Sequence, residues 1–182
     1  MTLGTCAQNL VLNGSFESNG GSFANWNVAN NSGFLAIDSG TILSAPAQNG
    51  SYAALFGGSV PDTISQSVPT TSGLTYDVSF WVNDRFGSSA LSVSWGSSQL
   101  LNLANSYTSE TSGQFDNGWV DFNFLVPASS SSENLKFAGS SGTALGVDNV
   151  SVTVPEPGLF SLIGGFLAVG GLWRRSRRAG DE

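Results

Sequence analysis

Two tryptophans sit among side chains that bond hydroxyl groups. Trp81 alternates with Asp77, Ser79 and Asn83, and Trp119 alternates with Asp121 and Asn123. Flat rings lie against the apolar faces of sugars, while amides and carboxylates take the hydroxyl hydrogen bonds. If both runs are strands, each presents its tryptophan and polar partners on one face. Joined, the two faces make a glycan platform, with Arg85 two residues beyond Asn83 as a further donor. In the competing reading, the rings cover strand edges or pack under loops. Tyr52 and Phe34 lie in loop-like stretches that could rim a pocket. The carboxylates also permit a more remote reading, a glycosidase using a pair such as Asp77 and Asp121. Nothing in the sequence sets their separation or shifts their pKa.

Other chemistry is excluded by composition. The chain has 182 residues, no histidine and one cysteine, Cys6. Histidine-based triads, general bases and metal sites are therefore absent, as are internal disulfides and cysteine zinc clusters. Charged residues make up only 10% of the chain. The first 158 residues carry eleven acids against Arg85 and Lys136; the rest carry Arg174, Arg175, Arg177 and Arg178 against Asp181 and Glu182. So acidic a body repels phosphate backbones, which argues against a nucleic-acid partner. With small size and no histidine, a non-catalytic role is expected.

The elements that must position these residues read as strands. Tyr76, Val78, Phe80 and Val82 alternate with the polar set around Trp81, and Val120, Phe122, Phe124 and Val126 with the set around Trp119. Residues 9–13, 91–95, 135–137 and 145–152 supply further short strands. Period two marks strands with one buried face. Turn signals separate them, among them Asn19-Gly20-Gly21, Asn49-Gly50, Ser72-Gly73, Asn117-Gly118 and the stretch 139–142. Trp26 and Trp95 read as core. No long amphipathic helix pattern precedes residue 159. Eight or nine short strands imply an all-β, jelly-roll sandwich over residues 8–153.

The C-terminal end has a different character. Val154-Pro155-Glu156-Pro157 leads through Gly158 into an uncharged run, 159–173, closed by Trp173 and then Arg174, Arg175, Arg177 and Arg178. At about 1.5 Å per helical residue the run spans roughly 22 Å, short of a bilayer core. Arginine snorkelling and an interfacial tryptophan lengthen its reach, so a single short transmembrane helix is expected, with its basic end in the cytoplasm. This tripartite end resembles the PEP-CTERM sorting signal of Gram-negative bacterial surface proteins. The resemblance covers 154–178, with 179–182 as a tail. It implies an exosortase as partner, a membrane intermediate, cleavage near the motif, and a destination at the cell surface or in the extracellular matrix. Val154, Pro155, Glu156 and Pro157 are then acted upon and not catalytic. An exported chain needs a signal peptide, and residues 1–7 are too short for one. They read as the remnant of a longer leader, with Cys6 as a poor lipobox or a lone thiol.

The body carries a second resemblance. Asn9-Leu10-Val11-Leu12-Asn13-Gly14-Ser15-Phe16-Glu17 followed by Trp26 is similar to galactose-binding-like and carbohydrate-binding-module domains. So are Ile64-Ser65-Gln66 before 73–81, Gly118-Trp119 before a Phe-rich strand, and the closing Val147-Asp148-Asn149-Val150. In that fold a structural calcium often ties the first and last strands, and Glu17 and Asp148 occupy the matching positions. Two carboxylates with backbone and amide oxygens suit calcium; an ordinary polar residue at a strand end is the alternative. The functional expectation is an exported surface protein whose sandwich binds extracellular polysaccharide, with a purely structural or adhesive protein as the other reading.

Overall fold

The structure is a computed structural model that describes residues 8–84, 89–103 and 118–155. The described residues form ten strands: β1 (Asn27–Ala29), β2 (Leu35–Asp38), β3 (Ala53–Phe56), β4 (Asp62–Pro69), β5 (Thr75–Asn83), β6 (Ser89–Trp95), β7 (Ser98–Leu103), β8 (Trp119–Pro127), β9 (Ser132–Ser141) and β10 (Leu145–Thr153). They form two five-stranded antiparallel sheets, ordered β1-β4-β9-β6-β7 and β2-β3-β10-β5-β8. The all-β sandwich expected from the alternating pattern is therefore present. No helix among the described residues is long and apolar enough to cross a membrane. The expected helix 159–173 and the segment 1–7 lie outside the described residues.

Alternation determines which face each strand buries. On β5, Tyr76, Val78, Phe80 and Val82 are buried, while Asp77, Ser79 and Trp81 are only partly covered. Phe80 stacks on Phe122 and Phe124 of β8 and meets Phe137 of the opposite sheet edge-on, at a centroid distance of 5.1 Å. Phe137 in turn meets Trp26, and Trp26 stacks on Phe16. Each such buried side chain contributes about 1.5–3 kcal/mol. Trp26 and Trp95 are core, as their patterns predicted.

Three expectations are corrected. Residues 9–13 form turns and not a strand. Their backbone groups are taken by side chains: Asn9 Oδ1 accepts from the amides of Val11 and Val152, and Gln66 Oε1 accepts from Leu12 N. Residues 139–141 belong to β9, because Gly139 leaves room for the Phe56 ring directly above it. The pattern missed β4, whose inward positions are Asp62, Ile64, Gln66 and Val68. Two polar residues there hide the apolar period. Both are satisfied: Asp62 accepts from the amide and hydroxyl of Ser32, and Gln66 bonds Leu12 and Asn25. β3 is buried at every position because the core covers one face and residues 39–47 cross the other.

Candidate functional site

The outward face of the second sheet carries most of the sequence-predicted platform. β5 and β8 pair so that Trp81 lies opposite Asp121, Ser79 opposite Asn123 and Asp77 opposite Leu125. On its other side β5 pairs with β10, placing Ser79 against Ser151 and Asp77 against Thr153. Because Cβ atoms alternate between faces, these residues share one surface. Trp81 is half-buried, packed against a small cluster that includes Leu43, Leu55 and Ala144. Asp121, Asn123 and Leu125 are exposed. From Trp81 to Asp77 the strip runs roughly 13 Å at 3.3 Å per residue. It has a half-covered ring at one end, the exposed Leu125 at the other, and carboxylates, an amide and hydroxyls between them.

Two platform residues are beneath the surface instead of on it. Trp119 is 1% exposed and belongs to the same small cluster. Residues 39–47 cross the sheet there, and Trp119 Nε1 donates to the carbonyl of Pro46 at 2.9 Å. Leu43 and the Trp119 ring both press on Gly146, where a Cβ would lie 2.8 and 2.9 Å from them. The loop is fixed by Asp38, whose carboxylate accepts from the amides of Thr41, Ile42 and Leu43. Trp119 therefore anchors a loop and offers no stacking surface. Asn83 is also buried, at 1% exposure, directly opposite Trp119. Tyr52 is partly buried and packs on Gly21, whereas Phe34 is exposed in the β1–β2 connection. Arg85 lies outside the described residues, as do Glu156, Pro157 and the four terminal arginines; Val154 and Pro155 are exposed just after β10.

The electrostatics of the open strip favour neutral, hydroxyl-bearing ligands. Asp77 Oδ1 is buried and finds no hydrogen-bond partner among the described residues. An unmet buried acceptor of this kind costs about 1–3 kcal/mol in the folded chain. Burial and the neighbouring Asp77 hold the Asp121 carboxyl above its usual range. Two nearby carboxylates disfavour anionic ligands. The strip residues that the tryptophan-centred reading passed over are Ser151 and Thr153, whose place beside β5 depends on β10 and its bulge between Asp148 and Ser151.

Glu17 and Asp148 are brought together by the β2–β3 connection. Glu17 Oε1 accepts from the amides of Ser51 and Tyr52, both at 2.7 Å. Asp148, fully buried, accepts from the amides of Asn49 at 2.9 Å and Asn149 at 2.6 Å. Burial, with a smaller push from the Glu17 charge, raises the Asp148 carboxyl to about 7 against these amide bonds. Gly50 allows the close approach: its φ is +78°, and a Cβ would lie 2.5 Å from the Glu17 carboxyl carbon. Among the described residues no three acids, cysteines or histidines gather at one point. A cation here would rely on these two carboxylates plus amide and carbonyl oxygens. Carboxylate, amide and carbonyl oxygens are the donors a hard divalent cation takes, and here backbone amides occupy both Asp148 oxygens and Glu17 Oε1.

No protein-family profile matches the chain, and no curated protein is detectably similar to it. Solved structures do resemble it. A family 61 carbohydrate-binding module (TmCBM61), described in complex with β-1,4-galactotriose, superposes with a TM-score of 0.60 at 18% identity, covering 82% of this chain and 100% of the module. The CBM22-1 xylan-binding domain from Paenibacillus barcinonensis Xyn10C follows at 0.52 and 14%, covering 84% of this chain and 97% of that domain. A bacteriophage CBA120 tailspike domain reaches 0.56 at 12% identity, but this chain spans only 21% of it. At such identities the likeness establishes the fold: the body is a sandwich built as in carbohydrate-binding modules.

Proposed function

We propose that this is an exported surface or matrix protein whose sandwich binds a neutral polysaccharide across the β5–β8 face and catalyses nothing. The observation that carries the binding reading is the half-covered Trp81 in register with the exposed Asp121, beside the exposed Asn123. The ring supplies an apolar sugar platform and the polar atoms supply orientation. Arg85 is assigned to the same site from its place in the sequence. The named ligands of the similar modules, galactotriose and xylan, make β-linked neutral polymers the first to test. Glu17 and Asp148 would hold a structural calcium, which supplies charge balance and ties residues 48–52 to β10.

The C-terminal end supports the export half of this reading. An exosortase would recognise Val154-Pro155-Glu156-Pro157, with 159–173 held in the membrane and the arginines on its cytoplasmic side. Proline on both sides of Glu156 keeps the motif extended and accessible. The purely structural or adhesive reading is second, and one observation favours it: the burial of Trp119 leaves a single tryptophan on the face.

Affinity electrophoresis in xylan and galactan gels tests the binding. The parent protein should be retarded, and the Trp81→Ala variant should migrate as in a gel without polysaccharide. Equal retardation of both removes the β5–β8 site. No retardation of the parent on any neutral polymer favours the structural reading.

A further inference from the structure

A second groove lies on the other sheet, away from the β5–β8 face. Residues 8–12 run alongside β1 and β4 and border an open groove of about 440 Å³, within the range of small-ligand clefts. The lining includes the amides of Gln8, Asn25 and Asn27 and the apolar surfaces of Leu10, Leu12 and Pro69, with no charged side chain. Gln8, Asn25 and Asn27 are exposed, so their amides face solvent, and Leu12 is 59% exposed.

Hydrogen bonds hold the walls in place. Gln66 is buried, and its side chain joins both: Oε1 accepts from Leu12 N at 2.7 Å, and Nε2 donates to the carbonyls of Leu12 at 2.9 Å and Asn25 at 3.1 Å. Asn9 pins the same segment to β10, donating to Val150 O and accepting from Val152 N. Asn25 is held at a φ of 69°, in the left-handed region. Walls fixed before binding lose little freedom on binding, which favours affinity for small ligands.

We propose that this groove is a second subsite for a neutral glycan chain. Amides carry a donor and an acceptor side by side, the pattern presented by adjacent sugar hydroxyls. Leucine and proline surfaces meet the apolar sugar face. An ionic ligand would find no countercharge. A protein interface needs about 1,000 Å² with an apolar centre, more than two leucines and a proline provide. This inference rests on the polysaccharide reading above. Two subsites on different sheets would let one protein grip two chains, or one long chain twice, and so gain avidity without new contacts.

Calorimetric titration of the full chain with xylotetraose, β-1,4-galactotriose and soluble xylan tests it, using the parent, Trp81→Ala and the double variant Leu12→Ala/Asn27→Ala. Both groove positions are exposed, so the fold should survive, as circular dichroism would verify. The expected result is two sites in the parent and one in each variant, with avidity for soluble polymer falling ten-fold or more in the groove variant. Unchanged stoichiometry and polymer avidity in the groove variant overturns the inference while leaving the β5–β8 site standing. Binding lost only in the groove variant supports the groove and overturns the β5–β8 site instead. A parent that binds neither oligosaccharide overturns both.

Discussion

Replacing Asp148 by asparagine should flatten the dependence of stability on pH. In the folded chain burial raises this carboxyl from 3.8 to about 7. In the unfolded chain it titrates near its ordinary value. Between those two values the folded protein holds a proton that the unfolded chain has released. Stability therefore falls as pH rises across that window and levels off above it. The interval is roughly three pH units, and at 1.36 kcal/mol per unit the parent loses about 4 kcal/mol from this group alone. For a urea m-value of about 2 kcal/mol/M, the midpoint moves by roughly 2 M. Asparagine carries no charge at any pH, so this contribution disappears. Its NH₂ group faces one of the amides of Asn49 or Asn149, a mismatch costing about 1–2 kcal/mol that does not depend on pH. The assay is urea denaturation followed by tryptophan fluorescence at pH 4.5, 5.5, 6.5 and 7.5 in EDTA, which keeps calcium from lowering the carboxyl. The stability difference between parent and variant should shift by most of 4 kcal/mol in favour of asparagine across this series. A constant difference, or one shifting the other way, would refute the assignment of a buried carboxyl at β10 whose desolvation outweighs its amide bonds.

Other substitutions separate structure from binding. Trp119→Ala should cost about 3–5 kcal/mol and lower the melting temperature by about 10 °C, because it empties the space under residues 39–47; polysaccharide retardation of the folded protein should persist. Gly50→Ala should destabilise by about 1–3 kcal/mol, since its φ of +78° and the nearby Glu17 carboxyl both oppose a Cβ; a melting curve unchanged within a degree would remove that contact. Calcium at about a hundred times its dissociation constant should stabilise the parent by about 2.7 kcal/mol, and the effect should disappear in Glu17→Gln; equal gains in both would place the cation elsewhere. In a host with an exosortase, Glu156→Ala should leave the chain at full length in membrane fractions, visible by immunoblot with an N-terminal tag; normal processing would argue against the motif.

What the sequence disclosed follows from where period two survives. β5 and β8 alternate strictly because one face packs the Phe80, Phe122 and Phe124 stack and the other meets solvent, and both were legible. β4 was not, because Asp62 and Gln66 occupy core positions and are satisfied by Ser32, Leu12 and Asn25, partners distant in sequence. β1, exposed at all three positions, has no buried face to leave a pattern. Trp119 shows the limit for a site. Alternation placed it correctly on the outward face of β8, but only tertiary structure shows a loop from β2 crossing that face and covering the ring. Glu17 and Asp148 were paired through a family likeness, and their meeting depends on four amides of residues 49–52 and 149 that leave no local signature.

Amide chemical-shift mapping with xylotetraose and β-1,4-galactotriose tests the binding face most directly. At saturation the indole signal of Trp81 and the amides of Asp121 and Asn123 should move, while the Trp119 indole, bonded to Pro46, should barely respond. Saturable binding that leaves Trp81, Asp121 and Asn123 in place, or no binding of either oligosaccharide, would contradict the account.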